Sequence, residues 1–246
     1  MQTLELRGVQ KSFGSLQVLK DIDITIKQGE FAAIVGPSGC GKSTALRMFA
    51  GLERPSSGQV LAGGTPIAGP GPDRMFIFQE HALYPWSTVE ENVGLGLELA
   101  GVSKAERIKR VNAVLDKVNL AGFNRYYPTQ LSGGMKQRAA IARALIMDPD
   151  VLLLDEPYGA LDALTRLTMQ NELLKIWSGS GKTMLLITHD IDEALYLADK
   201  IFVMSARPGQ IVETIELNES RPRNRNSDSF AAYRHRIMEL LGIEET

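Results

Sequence analysis

The sequence predicts an α/β fold with a mainly parallel sheet, and three observations carry that prediction. Apolar runs without alternation recur at 31–35, 75–78, 151–154 and 184–187. The last three end abruptly at polar residues, and each is followed within a few positions by sequence suited to a helix. A strand needs an unbroken apolar run only when both faces are covered, which happens where helices connect parallel strands. Strand, helix and strand in alternation therefore imply crossover units.

Before the first such run, Ile22, Ile24 and Ile26 alternate with Asp23, Thr25 and Lys27, as in a strand with one solvated face. Residues 31–35 then read as a buried strand, followed by a glycine-rich loop and a helix over 42–52. The middle of the chain changes character. Thr88 with Glu91, and Ser103 with Glu106, have capping-box spacing. Behind the second pair, Ile108, Val111, Leu115 and Val118 fall on one side of a helix. Residues 84–147 are thus expected to be a helical insert between two sheet strands. Pattern alone does not distinguish an insert that only adds core from one with a task of its own. Residues 221–226 are polar and proline-interrupted, a linker, and 227–241 read as a last amphipathic helix.

Composition narrows the classes. The 246 residues suffice for a sizeable core without disulfides or structural metal, and 44% hydrophobic with 23% charged is ordinary globular usage. Lys plus Arg number 27 against 29 Asp plus Glu, a net charge of −2. That balance argues against a chain whose main work is neutralising nucleic-acid phosphates. The one cysteine, Cys40, excludes an intrachain disulfide and fits a reducing compartment. Residues 1–8 lack the basic-then-apolar build of a signal peptide. The longest uncharged run, 55–72, holds nine Gly or Pro and would make a poor membrane helix. A cytosolic chain is expected.

Gly36, Pro37, Ser38, Gly39, Cys40, Gly41, Lys42 and Ser43 match G-x-x-x-x-G-K-[ST], with Thr44 next in the helix. Such a loop turns backbone N–H groups inward to cradle phosphate oxygens, aided by the helix dipole. Lys42 would reach the β- and γ-phosphates and the Ser43 hydroxyl would ligate Mg²⁺. Cys40, inside the loop, is expected to be alkylated by thiol reagents and protected by ATP. At the end of 151–154 stand Asp155 and Glu156, suited to holding Mg²⁺ and to polarising an attacking water. Gln79 follows 75–78 and His189 follows 184–188, so four strand ends would converge on one ligand, as open α/β sheets favour. Gln79 is a candidate sensor of the γ-phosphate or its metal, and His189 a candidate hydrogen-bond partner of the γ-phosphate. His81 and His235 lack such placement and are read as structural or exposed. Ser132 would cap a helix running from the double glycine through 139–147, and Gly133 and Gly134 would leave N–H groups open to an anion. On physics alone an ordinary capped helix accounts for that segment equally well.

Taken together, the motif 36–43, Gln79, Leu131-Ser-Gly-Gly-Met-Lys-Gln-Arg138, 151–157, Gly159-Ala-Leu-Asp162 and His189 resemble, in order and spacing, the nucleotide-binding subunit of ABC transporters. The resemblance covers essentially the whole chain. It implies a P-loop NTPase (RecA-like) core with an N-terminal antiparallel β-subdomain and an inserted α-helical subdomain. Residues 1–83 and 148–217 would form the core, 84–147 the helical part, and 218–246 a linker and helix, all in one domain. It implies ATP and Mg²⁺, the metal held through Ser43, Gln79 and Asp155, with Glu156, His189, Gln79 and Lys42 catalytic. It implies a head-to-tail pairing with a second ATPase subunit, identical or not. Ser132, Gly133, Gly134 and Gln137 would then contact ATP on the partner, and Asp162 would lie at the interface. Phe13 stands where the family stacks an aromatic on adenine, commonly tyrosine. Gly159-Ala160 replaces the commoner Ser-Ala, removing a hydroxyl.

A narrower resemblance, in 69–79, Leu83-Tyr-Pro-Trp86 and Met204-Ser-Ala-Arg-Pro-Gly209, is to ATPases of nitrate, sulfonate and taurine importers, a pattern bicarbonate importers share. It implies transmembrane permease subunits, indirectly a solute-binding protein, no nucleic acid, and a peripheral place on the cytoplasmic side of the inner membrane. Residues 83–86 would receive the coupling helix of the membrane subunit, although as residues they could equally be core. The rival is a soluble ABC-type ATPase acting on nucleic acid or ribosomes. Its relatives commonly carry two cassettes or long coiled coils, and this chain has neither. Arg221, Arg223 and Arg225, the one dense basic cluster outside the helices, are read as solvated.

Overall fold

A computed structural model describes residues 2–79 and 82–243. The chain opens with a hairpin of β1 (Leu4–Phe13) and β2 (Leu16–Ile26), joined by β4 (Ser57–Ala62) and β5 (Thr65–Pro66) in an antiparallel sheet of order β2-β1-β4-β5. The alternation at Ile22, Ile24 and Ile26 is real: all three are buried while Asp23, Thr25 and Lys27 are exposed. A six-stranded sheet contains β3 (Phe31–Val35), β6 (Arg74–Ile77), β7 (Val151–Asp155), β8 (Thr183–Thr188), β9 (Lys200–Met204) and β10 (Ile211–Glu216). Its order is β10-β9-β3-β8-β7-β6, all neighbours parallel except β9 and β10.

The unbroken apolar strands are buried on both faces. Along β3, Phe31, Ala33 and Val35 enter one core, with α2 (Val89–Leu99), α3 (Lys104–Lys117), α4 (Gly133–Leu145), α5 (Ala163–Trp177), α6 (Ile191–Leu197) and α7 (Asp228–Leu241). Ala32 and Ile34 enter the other, with α1 (Lys42–Phe49) and the antiparallel sheet. The run at 75–78 differs. As edge strand β6 it buries only Ile77, and Phe78 is exposed.

Helix α1 ends at Phe49, three residues before the expected 52. Between β6 and β7 lie α2, α3, a 3-10 turn (Pro128–Gln130) and α4. The Thr88–Glu91 box closes reciprocally, whereas Ser103 caps Glu106 N without the return bond. Val111, Leu115 and Val118 are buried, Ile108 only partly, and the three join the same core as β3. The insert therefore does add core.

The arginines of 221–226 correct the expectation of solvation. Arg221 pairs with Asp199 at 2.6 Å and lies over the Trp177 ring, and Arg225 donates to Gln170 Oε1 and lies over Tyr196. Arg223, 8% exposed, donates to the carbonyls of Leu195 and Ala198 at 3.0 and 2.7 Å. These carbonyls end α6 and have no intrahelical donor, so the guanidinium caps the helix against its dipole. Arg223→Ala is expected to cost about 2–4 kcal/mol, because it strips donors from buried carbonyls. Urea denaturation with an unchanged midpoint would refute that role. Helix α7 itself starts at the Ser227 cap, as expected, and ends at Gly242 in the left-handed region. His235 lies on it, 61% exposed at the side chain and 3.4 Å from Glu239, whereas His81 lies outside the described residues.

Candidate functional site

The carboxyl end of β3 runs directly into the loop 36–41, and Gly41 makes the turn into α1. Its φ of 113° is left-handed, and a Cβ there would sit 2.5 Å from Leu19 Cδ2. Only glycine allows the β1–β2 hairpin to close on this loop. No side chain caps α1, so the first-turn N–H groups of Lys42, Ser43 and Thr44 are available to anionic oxygens. Pro37, Ser38 and Gly39 are exposed, while Gly36 is buried. Lys42 is 4% exposed, and its Nζ donates to the carbonyls of Gly36 and Pro37 at 2.8 and 3.1 Å. That bracing holds the ammonium inside the loop.

Cys40 corrects an expectation. It is 1% exposed, and burial raises its thiol pKa although Lys42 acts in the opposite direction. A buried neutral thiol is not a target for alkylation in the folded chain. Phe13, by contrast, is 49% exposed at the tip of the hairpin, with Lys11 Nζ 4.6 Å from its ring centroid. One flanking residue escaped the sequence reading. Arg207 donates through Nε and Nη2 to Gly39 O at 3.1 and 2.8 Å, clasping the outside of the loop. Its signal lay in the segment 204–209, which sequence reasoning used only as a mark of kinship.

The ends of β7 and β8 bring the next residues together. Ser43 Oγ lies 3.2 Å from Asp155 Oδ1, and Asp155 is 6% exposed. Burial pushes its carboxyl pKa up, with the Ser43 hydrogen bond, Arg47 and Lys42 opposing and Glu156 adding to the rise. Among the described residues no three His, Cys, Asp or Glu gather as an all-protein metal site. One hydroxyl and one carboxylate in contact at a phosphate loop nonetheless fit Mg²⁺, which keeps waters and completes its shell with substrate phosphates.

Glu156 follows with φ 42°, a left-handed conformation costly for a side chain of this kind, held by its N–H on Ile187 O at 3.0 Å. Its Oε2 meets His189 Nδ1 at 3.0 Å. Gln79 joins them: a Cβ on Gly159 would lie 3.8 Å from Gln79 Nε2 and 4.0 Å from Glu156 Oε2. The strand ends thus assemble an anion cradle beside a carboxylate–imidazole pair. Such a set can hold a polyphosphate and activate water.

The double-glycine segment is a second exposed feature. Ser132 Oγ accepts from Met135 N at 3.3 Å, capping α4, and Ser132 and Gly133 are exposed. Gly134 is buried because a Cβ would come within 2.8 Å of Thr165 Cγ2. The segment therefore packs on the start of α5, where Asp162 caps Thr165 N at 3.0 Å and remains exposed. Gln137 corrects another expectation. Its side chain is fully buried in the core side of α4, one helical turn behind Ser132, and does not reach the exposed surface that Ser132 and Gly133 share.

Comparison with known proteins agrees with this geometry. The ABC transporter family model matches residues 19–159. An uncharacterised ABC transporter ATP-binding protein of Methanocaldococcus jannaschii is 49% identical, over 93% of this chain and 86% of its own. An aliphatic sulfonates import ATP-binding protein of Bacillus anthracis is 47% identical, over 96% of this chain and 95% of its own. Among solved structures, a dimeric ATP-binding cassette in a post-hydrolysis state with ADP and phosphate is 34% identical, covering 88% of this chain and 100% of that one, with a TM-score of 0.77. A subunit of a Clostridium perfringens ABC transporter complex is 29% identical, over 96% and 94%, with a TM-score of 0.80. The chain belongs to the ABC transporter family and is one of its ATP-binding, ATP-hydrolysing subunits.

Proposed function

We propose that this subunit powers import of a small anion, an aliphatic sulfonate, taurine, nitrate or bicarbonate, by closing two cassettes around two ATP molecules. The observation that carries the hydrolytic part is the 3.0 Å contact between Glu156 and His189, next to the Ser43–Asp155 pair. Phe13 would stack on adenine. The N–H groups of 36–44 and the Lys42 ammonium would hold the phosphates, and Lys42 would offset charge developing on the γ-phosphate. Ser43, Asp155 and Gln79 would hold Mg²⁺, which supplies further neutralisation of phosphate charge. Glu156 would take a proton from the attacking water, with His189 orienting that water and the γ-phosphate.

The partner is proposed to be a second cassette, its exposed Ser132 and Gly133, with the Gly134 backbone behind them, facing the γ-phosphate and Asp162 at the interface. Tyr84 and Trp86, 41% and 74% exposed with ring centroids 5.5 Å apart, favour a protein contact over a core role. They follow Gln79 closely in sequence, so a permease subunit pressing on them would feel the nucleotide state. Among the described residues no helix is long and apolar enough to cross a membrane. A peripheral position on the cytoplasmic side, with solute chosen by the permease and a binding protein, fits this arrangement. The sulfonate relative favours that solute class. The docking of Arg221, Arg223 and Arg225 onto the core weakens the nucleic-acid alternative.

The test is ATPase activity of the chain in liposomes with the permease subunits encoded beside it and a binding protein loaded with each anion in turn. Stimulation by the permease, and again by one loaded binding protein, is expected. Indifference to the permease with stimulation by nucleic acid or ribosomes would overturn the transport reading.

A further inference from the structure

We propose that Glu193, a carboxylate with no task in the reaction just described, is a positioning residue for the Glu156–His189 pair, acting through Thr188. The inference rests on the roles proposed for that pair. Glu193 is 3% exposed in the first turn of α6. Its Oε2 accepts from Thr188 Oγ1 at 2.5 Å, and the same hydroxyl accepts from Asp190 N at 3.0 Å. One hydroxyl thus ties the backbone on both sides of His189. Asp190 Oδ1 in turn accepts Glu193 N at 3.1 Å, which closes the ring. Remove the acceptor, and the hydroxyl that fixes the His189 backbone is free to turn.

The other oxygen, Oε1, lies in a crevice that Glu156 also lines. Tyr158, two residues beyond Glu156, is buried, and its hydroxyl has no hydrogen-bond partner among the described residues. Glu193 Oε1 is likewise buried without one. Tyr158 and Glu193 line a single small crevice with Glu156 and His189. The two atoms share the crevice without bonding each other, so the Thr188 hydroxyl is the bonded link from Glu193 to the site. The carboxylate thus braces the segment carrying the histidine, and the histidine in turn meets Glu156 at 3.0 Å.

Charge makes the brace pH-dependent. Burial raises the Glu193 pKa to about 7, with Asp190 adding to the rise and Thr188, Arg166 and Gln170 opposing it. Arg225, from the C-terminal tail, faces the same carboxylate and bonds Gln170, and Tyr158 also senses Glu172. Above neutral pH the ionised acceptor is present and below it the brace weakens. The sign for stability is opposite. A carboxyl whose folded pKa is raised contributes stability below its unfolded pKa and loses it as pH rises through the folded value.

The experiment is ATP turnover of the purified full-length chain and of Glu193→Gln, from pH 6 to 9, with melting temperature followed in parallel. Glu193→Gln is expected to lower kcat on the order of tenfold at pH 8, leave KM for ATP unchanged, and flatten the rise near neutrality. Its melting temperature at pH 8 is expected to hold or increase. Thr188→Val, which deletes the bonded hydroxyl, is expected to lower kcat at pH 8 in the same way and to leave KM for ATP unchanged. Parental kcat and an unchanged pH profile in Glu193→Gln would overturn the proposal, as would a fall in kcat that merely tracks lost stability. Glu156→Gln in the same series separates the failures. Loss of turnover there with a silent Glu193→Gln refutes the positioning role alone, and parental turnover there refutes the base on which it rests.

Discussion

Glu156→Gln is expected to lose ATP turnover on the order of 1,000-fold while binding ATP as tightly as the parent. The amide preserves shape and can still contact His189 Nδ1, which now lies 3.0 Å from the carboxylate. It cannot accept a proton from water. The loss should therefore fall on kcat and leave KM nearly unmoved. The strained φ of 42° at this position adds a second reason to expect a specific effect. Strain in a side-chain-bearing residue persists only where the surroundings enforce it, here through the Glu156 N–H on Ile187 O. Single-turnover kinetics with the variant showing parental turnover would remove Glu156 from the base role.

Lys42→Ala is expected to act one step earlier, on nucleotide binding itself. The ammonium is 4% exposed and braced on the carbonyls of Gly36 and Pro37, so it sits in a preorganised, poorly solvated position. Electrostatic attraction to phosphate is stronger there than at an open surface. Loss of on the order of 100-fold in ATP affinity, about 3 kcal/mol, is the expected size. Isothermal calorimetry checks it, and unchanged affinity would count against the phosphate-loop assignment. The same substitution leaves two loop carbonyls without this donor, so a modest fall in melting temperature should accompany it.

How much of this was legible beforehand depends on whether a residue's role is local. The strands at 31–35, 151–155 and 183–188 were legible because burial on both faces leaves an unbroken apolar run. Ser132, Thr88 and Ser103 were legible as caps because a cap acts on a backbone N–H only a few residues away. Phosphate-loop glycines were legible because backbone geometry itself demands them. The misses share the opposite property. Cys40 is buried through tertiary packing around the loop, and Gln137 through packing around α4, neither of which spacing encodes. The arginines of the tail look solvated in sequence because their acceptors are distant: the carbonyls ending α6, 24 and 25 residues from Arg221 and Arg223, and the Gln170 side chain, 55 residues from Arg225. Arg207 and Glu193 escaped for the same reason. Each supports a motif residue from a distant segment, as Arg207 does at Gly39. The partial exposure of edge strand β6 was not legible because its composition matches the central strands, and only its place in the sheet exposes it.

The measurement that bears most directly on two cassettes sharing ATP is the solution mass of Glu156→Gln, by light scattering, with and without saturating ATP. A 27.0 kDa species that doubles its mass with ATP and returns to monomer when ATP is removed is the expected result. Substituting Ser132 by a bulky residue in the same variant should abolish the doubling without weakening ATP binding to the phosphate loop. A variant that binds ATP tightly and stays at 27.0 kDa would contradict closure of one copy's phosphate loop on the other's Ser132-Gly133-Gly134 segment.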